Sequence, residues 1–404
     1  MSQAAPEESP EKRAFREHCA RFLRDNVPPP PAFRLPLTPL EVQTEEQLEW
    51  LRRWQRTCWE AELVGADVPR EYGGHGRSGF QAIASRALRD AGAPFFINIV
   101  ALQMASPTIL AHGTDAQKRR FVPGCLSADQ IWCQGFSEPN AGSDLANVQT
   151  LAERDGDVWR VTGHKVWTSL GKFADWMILL ARTDRAAQKH AGLTYFLCPI
   201  AGHPGVEVRP LVKLTGELGF NEVTFDGVEV HDDLRLDEPG RGWQVAMTTL
   251  LHERGAAESA GGGFAVPAAQ LDALLALARR VVRDGAPAID DPGVRDQLVT
   301  LAITARGLEA NAQRARVPAL CDHPMRLPLQ SKVLTTEWAQ ALAQIGMELQ
   351  GAGGALFVAD ERAEDGGVWP LSYLNSYGMT IAAGTSEIQR NVLGERVLGL
   401  PRQK

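Results

Sequence analysis

The chain has 404 residues, of which 44% are hydrophobic and 23% charged, with a formal net charge of −7. That length exceeds what one small core holds and predicts two or three structural units. The acidic balance argues against a nucleic-acid partner, which favours a basic face, and the longest apolar run, near Met177 to Ala181, is far too short to span a bilayer.

The first residues, MSQAAPEESPEKR, contain no apolar h-region, so no secretory signal is expected. Six cysteines are scattered without a C-x-x-C pair, which suggests neither a disulfide framework nor a zinc site. A reducing, cytoplasmic setting follows as the expectation.

From Glu11 to Asn26 the spacing of Phe15, Cys19, Phe22 and Leu23 predicts a helix. Pro28 to Pro31 end it in a stiff connector. Further helices are predicted over about 44–63, 78–91, 97–112 and 115–127, which makes residues 1–129 an all-helical domain. The character then changes to alternating β-branched, aromatic and polar residues. Val148–Arg154 and Val158–Val161 flank Asp155-Gly156, a hairpin signal, and strands are predicted over 176–182, 192–199, 206–211 and 222–225. No crossover helix separates them, so residues 130–238 are expected to form a mostly antiparallel barrel or sandwich. Residues 239–404 read as a helical bundle, with helices over about 264–284, 291–316, 328–350, 370–380 and 386–399. The fold class is therefore α+β. On the helix after Gly240, Trp243, Ala246, Met247, Leu250 and Leu251 form an apolar stripe with Arg254 in line and Glu253 beside it; a charge in line with a buried face needs a partner. Ser386 and Gln389 have capping-box spacing at the start of the last helix, whose free N–H groups favour an anionic ligand.

The stretch from Cys133 to Asp144, CQGFSEPNAGSD, concentrates small residues, hydroxyls and backbone N–H groups in one bend. Such a bend admits close approach of a flat or anionic ligand at Gly142; an ordinary surface turn between strands fits the same residues. Other chemistries lack their motifs: no G-x-G-x-x-G follows a strand, there is no Walker A loop or G-x-S-x-G elbow, and His252-Glu253 lacks a second histidine.

Three ordered motifs carry a family resemblance that spans about residues 11–402. GFSEPNAGSD (135–144) resembles the flavin and substrate loop of the acyl-CoA dehydrogenases, Lys165-Val166-Trp167-Thr168-Ser169 their K-x-W-x-T/S strand, and Gly384-Thr385-Ser386-Glu387-Ile388-Gln389-Arg390 their C-terminal signature. The resemblance implies an N-terminal helical domain, a middle β domain and a C-terminal four-helix bundle. It implies an extended FAD between the β domain and the C-terminal helices, and an acyl-CoA substrate. A carboxylate removes the α-proton, hydride passes from the β-carbon to flavin N5, and a trans-2-enoyl thioester results. Electrons then pass to an electron-transfer flavoprotein. The cofactor set implied is Gln134, Phe136, Ser137, Gly142, Ser143, Trp167, Ser169, Thr385 and Glu387, with capping or core packing as the alternative role for each hydroxyl and for Trp167.

The chain also departs from the family pattern. Where many members carry the catalytic Glu, before the GTS motif, it has Ala383. A branch resembling isovaleryl-CoA dehydrogenase places the base on the helix after the β domain, which assigns it here to Glu253, with Arg254 shaping the pocket; a plain structural helix pair in an inactive subunit is the alternative. Ser143, the Ala383 backbone N–H and Gly384 are the remaining substrate contacts implied. The family's R-x-x-F-G, which reaches the FAD of an adjacent chain, is altered in Val281-Val282-Arg283-Asp284-Gly285, with Arg280 or Arg283 as substitutes, and its Q-x-x-G-G is altered in Glu348-Leu349-Gln350-Gly351-Ala352-Gly353. Degraded motifs of this kind imply work beside a non-identical homologous subunit, as in the heteromeric branch that handles steroid side chains or dicarboxylates. A homo- or hetero-oligomer, dimer or tetramer, is thus expected. The alternatives are an FAD-supporting partner subunit, or a dehydrogenase or oxidase of a carrier-protein-bound acyl group.

Overall fold

The computed structural model describes residues 8–256, 267–315, 317–358 and 360–401, without the side chains of 254–256 and 318. The chain forms two compact units, divided between Gly263 and Phe264.

The first unit opens with the predicted helices. Helix α1 (Pro10–Asn26) starts at Ser9, whose side chain accepts from the Lys12 N–H, and buries Phe15, Cys19 and Leu23. Helix α2 (Glu45–Glu60) has a Thr44–Gln47 capping box and buries Leu48, Leu51, Trp54 and Cys58. It stops short of residue 63 because Glu62 turns into the left-handed region at φ 66. Helices α3 (Gln81–Asp90), α4 (Ser106–His112) and α5 (Asp115–Ser127) follow. The start of the segment expected as one helix over 97–112 is instead a π-helical turn, Ala101–Ala105, next to Pro107, which has no N–H to donate.

The β region contains β1 (Trp132–Gly135), β2 (Leu151–Asp155), β3 (Val158–Ser169), β4 (Trp176–Arg182), β5 (Leu193–Pro199), β6 (Val206–Leu211), β7 (Phe220–His231) and β8 (Arg235–Leu236). Their order is β6-β7-β3-β2-β4-β5-β8, with β1 beside β4. Pairing is antiparallel except for β1 with β4 and the single pair Leu151–Arg182 that joins β2 to β4. That single pair links two antiparallel leaves, and Trp159 of β3 packs on Phe196 of β5 with ring centroids 5.4 Å apart, as in a sandwich. Asp155-Gly156 makes the expected hairpin, with Gly156 at φ 63. Strands β3 and β7 run longer than predicted, because pairing resumes after two register shifts, at Gly163 and again at Thr168.

Helix α6 (Gly242–Ala256) also belongs to this unit. Its buried stripe overlaps the expected one in part: Ala246 is fully buried together with Val245 and Thr249, and Trp243 and Leu250 pack half-buried against the core, whereas Leu251 is 62% exposed. Glu253, four residues after Thr249, continues that stripe as a half-buried residue.

The second unit holds α7 (Pro267–Arg280), α8 (Pro292–Ala315), α9 (Arg326–Leu349), α10 (Val368–Ile381) and α11 (Ser386–Val392). Leu274, Leu277, Leu298, Leu301, Trp338 and Leu342 lie in their common core. Helix α7 ends at Arg280 rather than 284, because β9 (Val282–Arg283) and β10 (Ala286–Pro287) pair around Asp284 (φ 50) and Gly285 (φ 82). This is the same Asp-Gly signal that made the 155–156 hairpin. The cap of α11 also shifts by one residue. Thr385, not Ser386, accepts from the Ile388 N–H at 3.2 Å, and Gln389 folds back to donate to the Ala383 carbonyl at 2.7 Å. No helix among the described residues is long and apolar enough to cross a membrane.

Candidate active site

Strand β3 is read by parity. Trp159, Val161 and Lys165 point inward, as period-2 alternation requires. A lysine at an inward position must find an anion, and Lys165 Nζ donates to Glu138 Oε1 at 2.8 Å and to the Phe136 carbonyl at 3.0 Å. Glu138 also accepts from the Thr150 N–H at 2.8 Å and the Gln149 N–H at 2.6 Å. Burial brings the Lys165 ammonium down to about 8, with Glu138 opposing the shift. Burial also works to raise the Glu138 carboxyl, but Lys165 and its other donors outweigh it and hold the group below its ordinary value.

Immediately after Lys165 the strand bulges. Trp167 takes φ 59 and stands 59% exposed, edge-on to Phe220 at 5.8 Å. A bulky residue held in the left-handed region and presented outward is a backbone outlier of the kind found at functional sites. The bulge resets the parity, so Thr168 turns inward; its Oγ1 is buried and has no partner among the described residues. Ser169 is half-buried.

The bend that starts at Cys133 is fastened to this strand. The Val166 N–H donates to the Ser137 carbonyl at 2.9 Å. Gln134 is half-buried in β1, Phe136 is buried, Ser137 is half-buried, and Gly142 and Ser143 lie exposed at the turn. Arg182 secures the next stretch, donating to the Val148 and Ala146 carbonyls at 3.0 and 2.8 Å. Thus the first two motifs meet through hydrogen bonds between residues of both. On α6, Glu253 lies near enough to Tyr195 for its charge to add to the burial that raises the phenol. The side chain of Arg254 lies outside the described residues.

In the second unit, Ala383 (φ 54) and Gly384 (φ 86) are both left-handed, and the Gln389 amide that caps Ala383 lies where a Cβ on Gly384 would stand. Thr385 serves as the cap of α11, and Glu387 in its first turn is held below its ordinary value by local hydrogen bonds at the helix start. Ser386 Oγ and Gln389 Oε1 are buried without partners among the described residues. Arg283 donates to the Leu349 and Glu348 carbonyls at the end of α9, and Arg280 pairs with Asp365 at 2.8 Å. Both arginines considered as substitutes are thus engaged within their own unit.

Glu138, Lys165, Thr168, Arg182, Tyr195 and Thr249 were not among the candidates read from sequence. Lys165 had a signal, a charge at an inward parity position. Thr168 had none, because the bulge that turns it inward leaves no mark in the residue pattern.

Family models match the chain along nearly its whole length: the N-terminal domain of acyl-CoA dehydrogenases at residues 9–129, the middle domain at 133–228 and the C-terminal domain at 240–398. Acyl-CoA dehydrogenase IpdE1 of Mycobacterium tuberculosis is 40% identical over 359 residues, covering 89% of this chain and 90% of the relative. Among solved structures, the ChsE4–ChsE5 complex from M. tuberculosis aligns with a TM-score of 0.78 at 28% identity, over 99% of this chain and 100% of that one. A structure titled Tcur3481–Tcur3483 steroid ACAD aligns with a TM-score of 0.79 at 25% identity, over 99% and 100%.

Proposed function

The chain belongs to the acyl-CoA dehydrogenase family of FAD-dependent oxidoreductases, and from that premise we propose that it converts an acyl-CoA to the trans-2-enoyl-CoA with Glu253 as base. The observation that carries this assignment is the placement of Glu253. It extends the buried Val245–Thr249 stripe of α6 by one turn, while Ala383 has no side chain able to take a proton.

The residues of the first unit fit a flavin. Trp167 offers a flat apolar face, Thr168 Oγ1 offers a buried hydroxyl without a protein partner, and Gly142 leaves open space beside the backbone. The groups of the first unit proposed to hold FAD are Gln134, Phe136, Ser137, Gly142, Ser143, Trp167 and Ser169, joined by Thr168; for Thr385 and Glu387 the assignment to FAD rests on the family resemblance. When bound, FAD supplies the acceptor for the hydride that leaves the β-carbon. The protein's own task is the α-proton. That proton is weakly acidic, so the thioester carbonyl needs preorganised donors, a role assigned to the Ala383 backbone N–H. Gly384, Ser143 and Arg254 complete the proposed substrate contacts. Exclusion of water raises a carboxylate toward the working pH and strengthens it as a base.

Glu253→Gln keeps size and hydrogen bonding but removes the base. Flavin content is expected to stay the same while single-turnover reduction by acyl-CoA falls by roughly 10²–10⁴-fold. Unchanged reduction would place the base elsewhere. An electron-transfer flavoprotein is the proposed acceptor; faster reoxidation by air than by that protein would replace it with an oxidase reading.

The hairpin at Asp284-Gly285 favours a second element of this reading, a non-identical partner subunit. It stands where the family carries a phenylalanine that serves an adjacent chain, and Arg280 and Arg283 are held by their own unit. One of the similar structures is titled as a complex, ChsE4–ChsE5, and another carries two protein names in its title. A purified homotetramer with one FAD per chain would refute the heteromer.

A further inference from the structure

Thr249 precedes Glu253 by one helical turn on the same face of α6. It is also the last fully buried side chain before Glu253 among the described residues, since Leu250 is half-buried and Leu251 and His252 are exposed. Its hydroxyl is the meeting point of three elements. Thr108 Oγ1 of α4 lies 2.9 Å away, the Tyr195 hydroxyl of β5 lies 2.9 Å away, and the Val245 carbonyl accepts from Thr249 at 3.2 Å.

A hydroxyl has one proton and two acceptor positions. With its proton on the Val245 carbonyl, Thr249 accepts from both Thr108 and Tyr195 and is used in full. Tyr195 must therefore remain a donor. Burial keeps its phenol protonated, and the nearby Glu253 charge adds to that. Apolar packing alone tolerates small rotations of a helix, whereas three directional bonds on one atom do not. The opposite face of this last turn carries the exposed Leu251, so it supplies little restraint.

We propose that Thr249, locked by Tyr195 and Thr108, is a positioning residue that holds Glu253 in register for removal of the substrate α-proton. The inference rests on the reading of Glu253 as base. Proton removal is sensitive to placement, since misplacement by about 1 Å costs about 10²-fold.

The test compares Thr249→Val, Thr249→Ser and Tyr195→Phe in the flavin-loaded protein, with Glu253→Gln in parallel. Thr249→Val and Tyr195→Phe are expected to slow single-turnover flavin reduction by about tenfold or more and to move its pH profile. Acyl-CoA affinity and flavin content stay as in the wild type, and Thr249→Ser restores the rate. Amide exchange across residues 249–253 rises in Thr249→Val with or without substrate. In a Glu253→Gln background, Thr249→Val brings no further loss, because the group it positions is gone. If Glu253→Gln abolishes reduction while Tyr195→Phe and Thr249→Val keep the wild-type rate and pH profile, the positioning role is overturned and the base assignment stands. Should Thr249→Val not fold, a wild-type rate in Tyr195→Phe overturns the role by itself. If Glu253→Gln reduces normally, the base assignment falls first.

Discussion

Lys165 and Glu138 meet at 2.8 Å with Lys165 fully buried, joining the strand that presents Trp167 to the turn that presents Ser143. One ion pair between residues 27 positions apart thus sets the relation between the two motifs. Its charges hold each other in a place where neither would stay charged alone.

Lys165→Met removes the cation and leaves the Glu138 carboxylate buried without it. The expected cost is about 3–5 kcal/mol, the range for breaking a buried pair from one side, with loss of bound flavin before global unfolding. Chemical denaturation and flavin fluorescence, followed on one sample, check both. The pair also predicts an acid limb. The folded-state value of Glu138 lies below its ordinary 4.5, so its contribution is complete above that pH and is lost as pH falls through the depressed value. Flavin release in acid should follow this limb, and Glu138→Gln should remove it.

Trp167 is strained by its backbone but exposed, so its removal should separate stability from cofactor binding. Trp167→Gly relieves the left-handed conformation, worth about 1 kcal/mol. The flavin-free protein is expected to melt no lower than wild type, while flavin retention on gel filtration falls. Lower stability with undiminished flavin would mean that Trp167 is a packing residue.

Asp232 accepts from Arg235 Nε at 2.9 Å and from Trp159 Nε1 at 2.7 Å, and these bonds hold its carboxyl at about 2. Asp232→Asn should cost about 1 kcal/mol at neutral pH, less than the full shift implies because solvent screens the site. A depressed carboxylate stabilises above its unfolded value and loses that advantage on acidification. The gap between mutant and wild type should therefore close as pH drops from 3.8 to about 2.

Arg283 caps the end of α9 from an exposed position, so Arg283→Ala is expected to destabilise the protein by about 0.5–1.5 kcal/mol, the net worth of a hydrogen bond that water can partly replace. Flavin content at a temperature where the variant is folded should not change. Loss of flavin without loss of stability would restore Arg283 as a cofactor ligand for a neighbouring chain.

Much of the architecture was legible from local pattern. Helical spacing located α1 through α5, and alternation located β4 and β6 to the residue. The errors have physical causes. The helix expected over 264–284 ends at Arg280, because Asp284-Gly285 makes the same kind of turn as Asp155-Gly156. On α6 hydrophobicity places Leu251 in the buried stripe with Trp243, Ala246 and Leu250; packing keeps those three against the core but leaves Leu251 exposed, and the buried face runs through Thr249 instead.

By itself the sequence determined the family, the order of helical and β regions and the absence of a side-chain base at Ala383, because these reside in residue identity and in short-range periodicity. The tertiary structure alone decided that Lys165 and Glu138 pair, that a bulge turns Trp167 out and Thr168 in, and that Glu253 continues the buried face of α6 one turn after Thr249. Each of those depends on where a strand's register slips or which face of a helix meets its neighbours, and such choices are made by contacts between segments far apart in the chain.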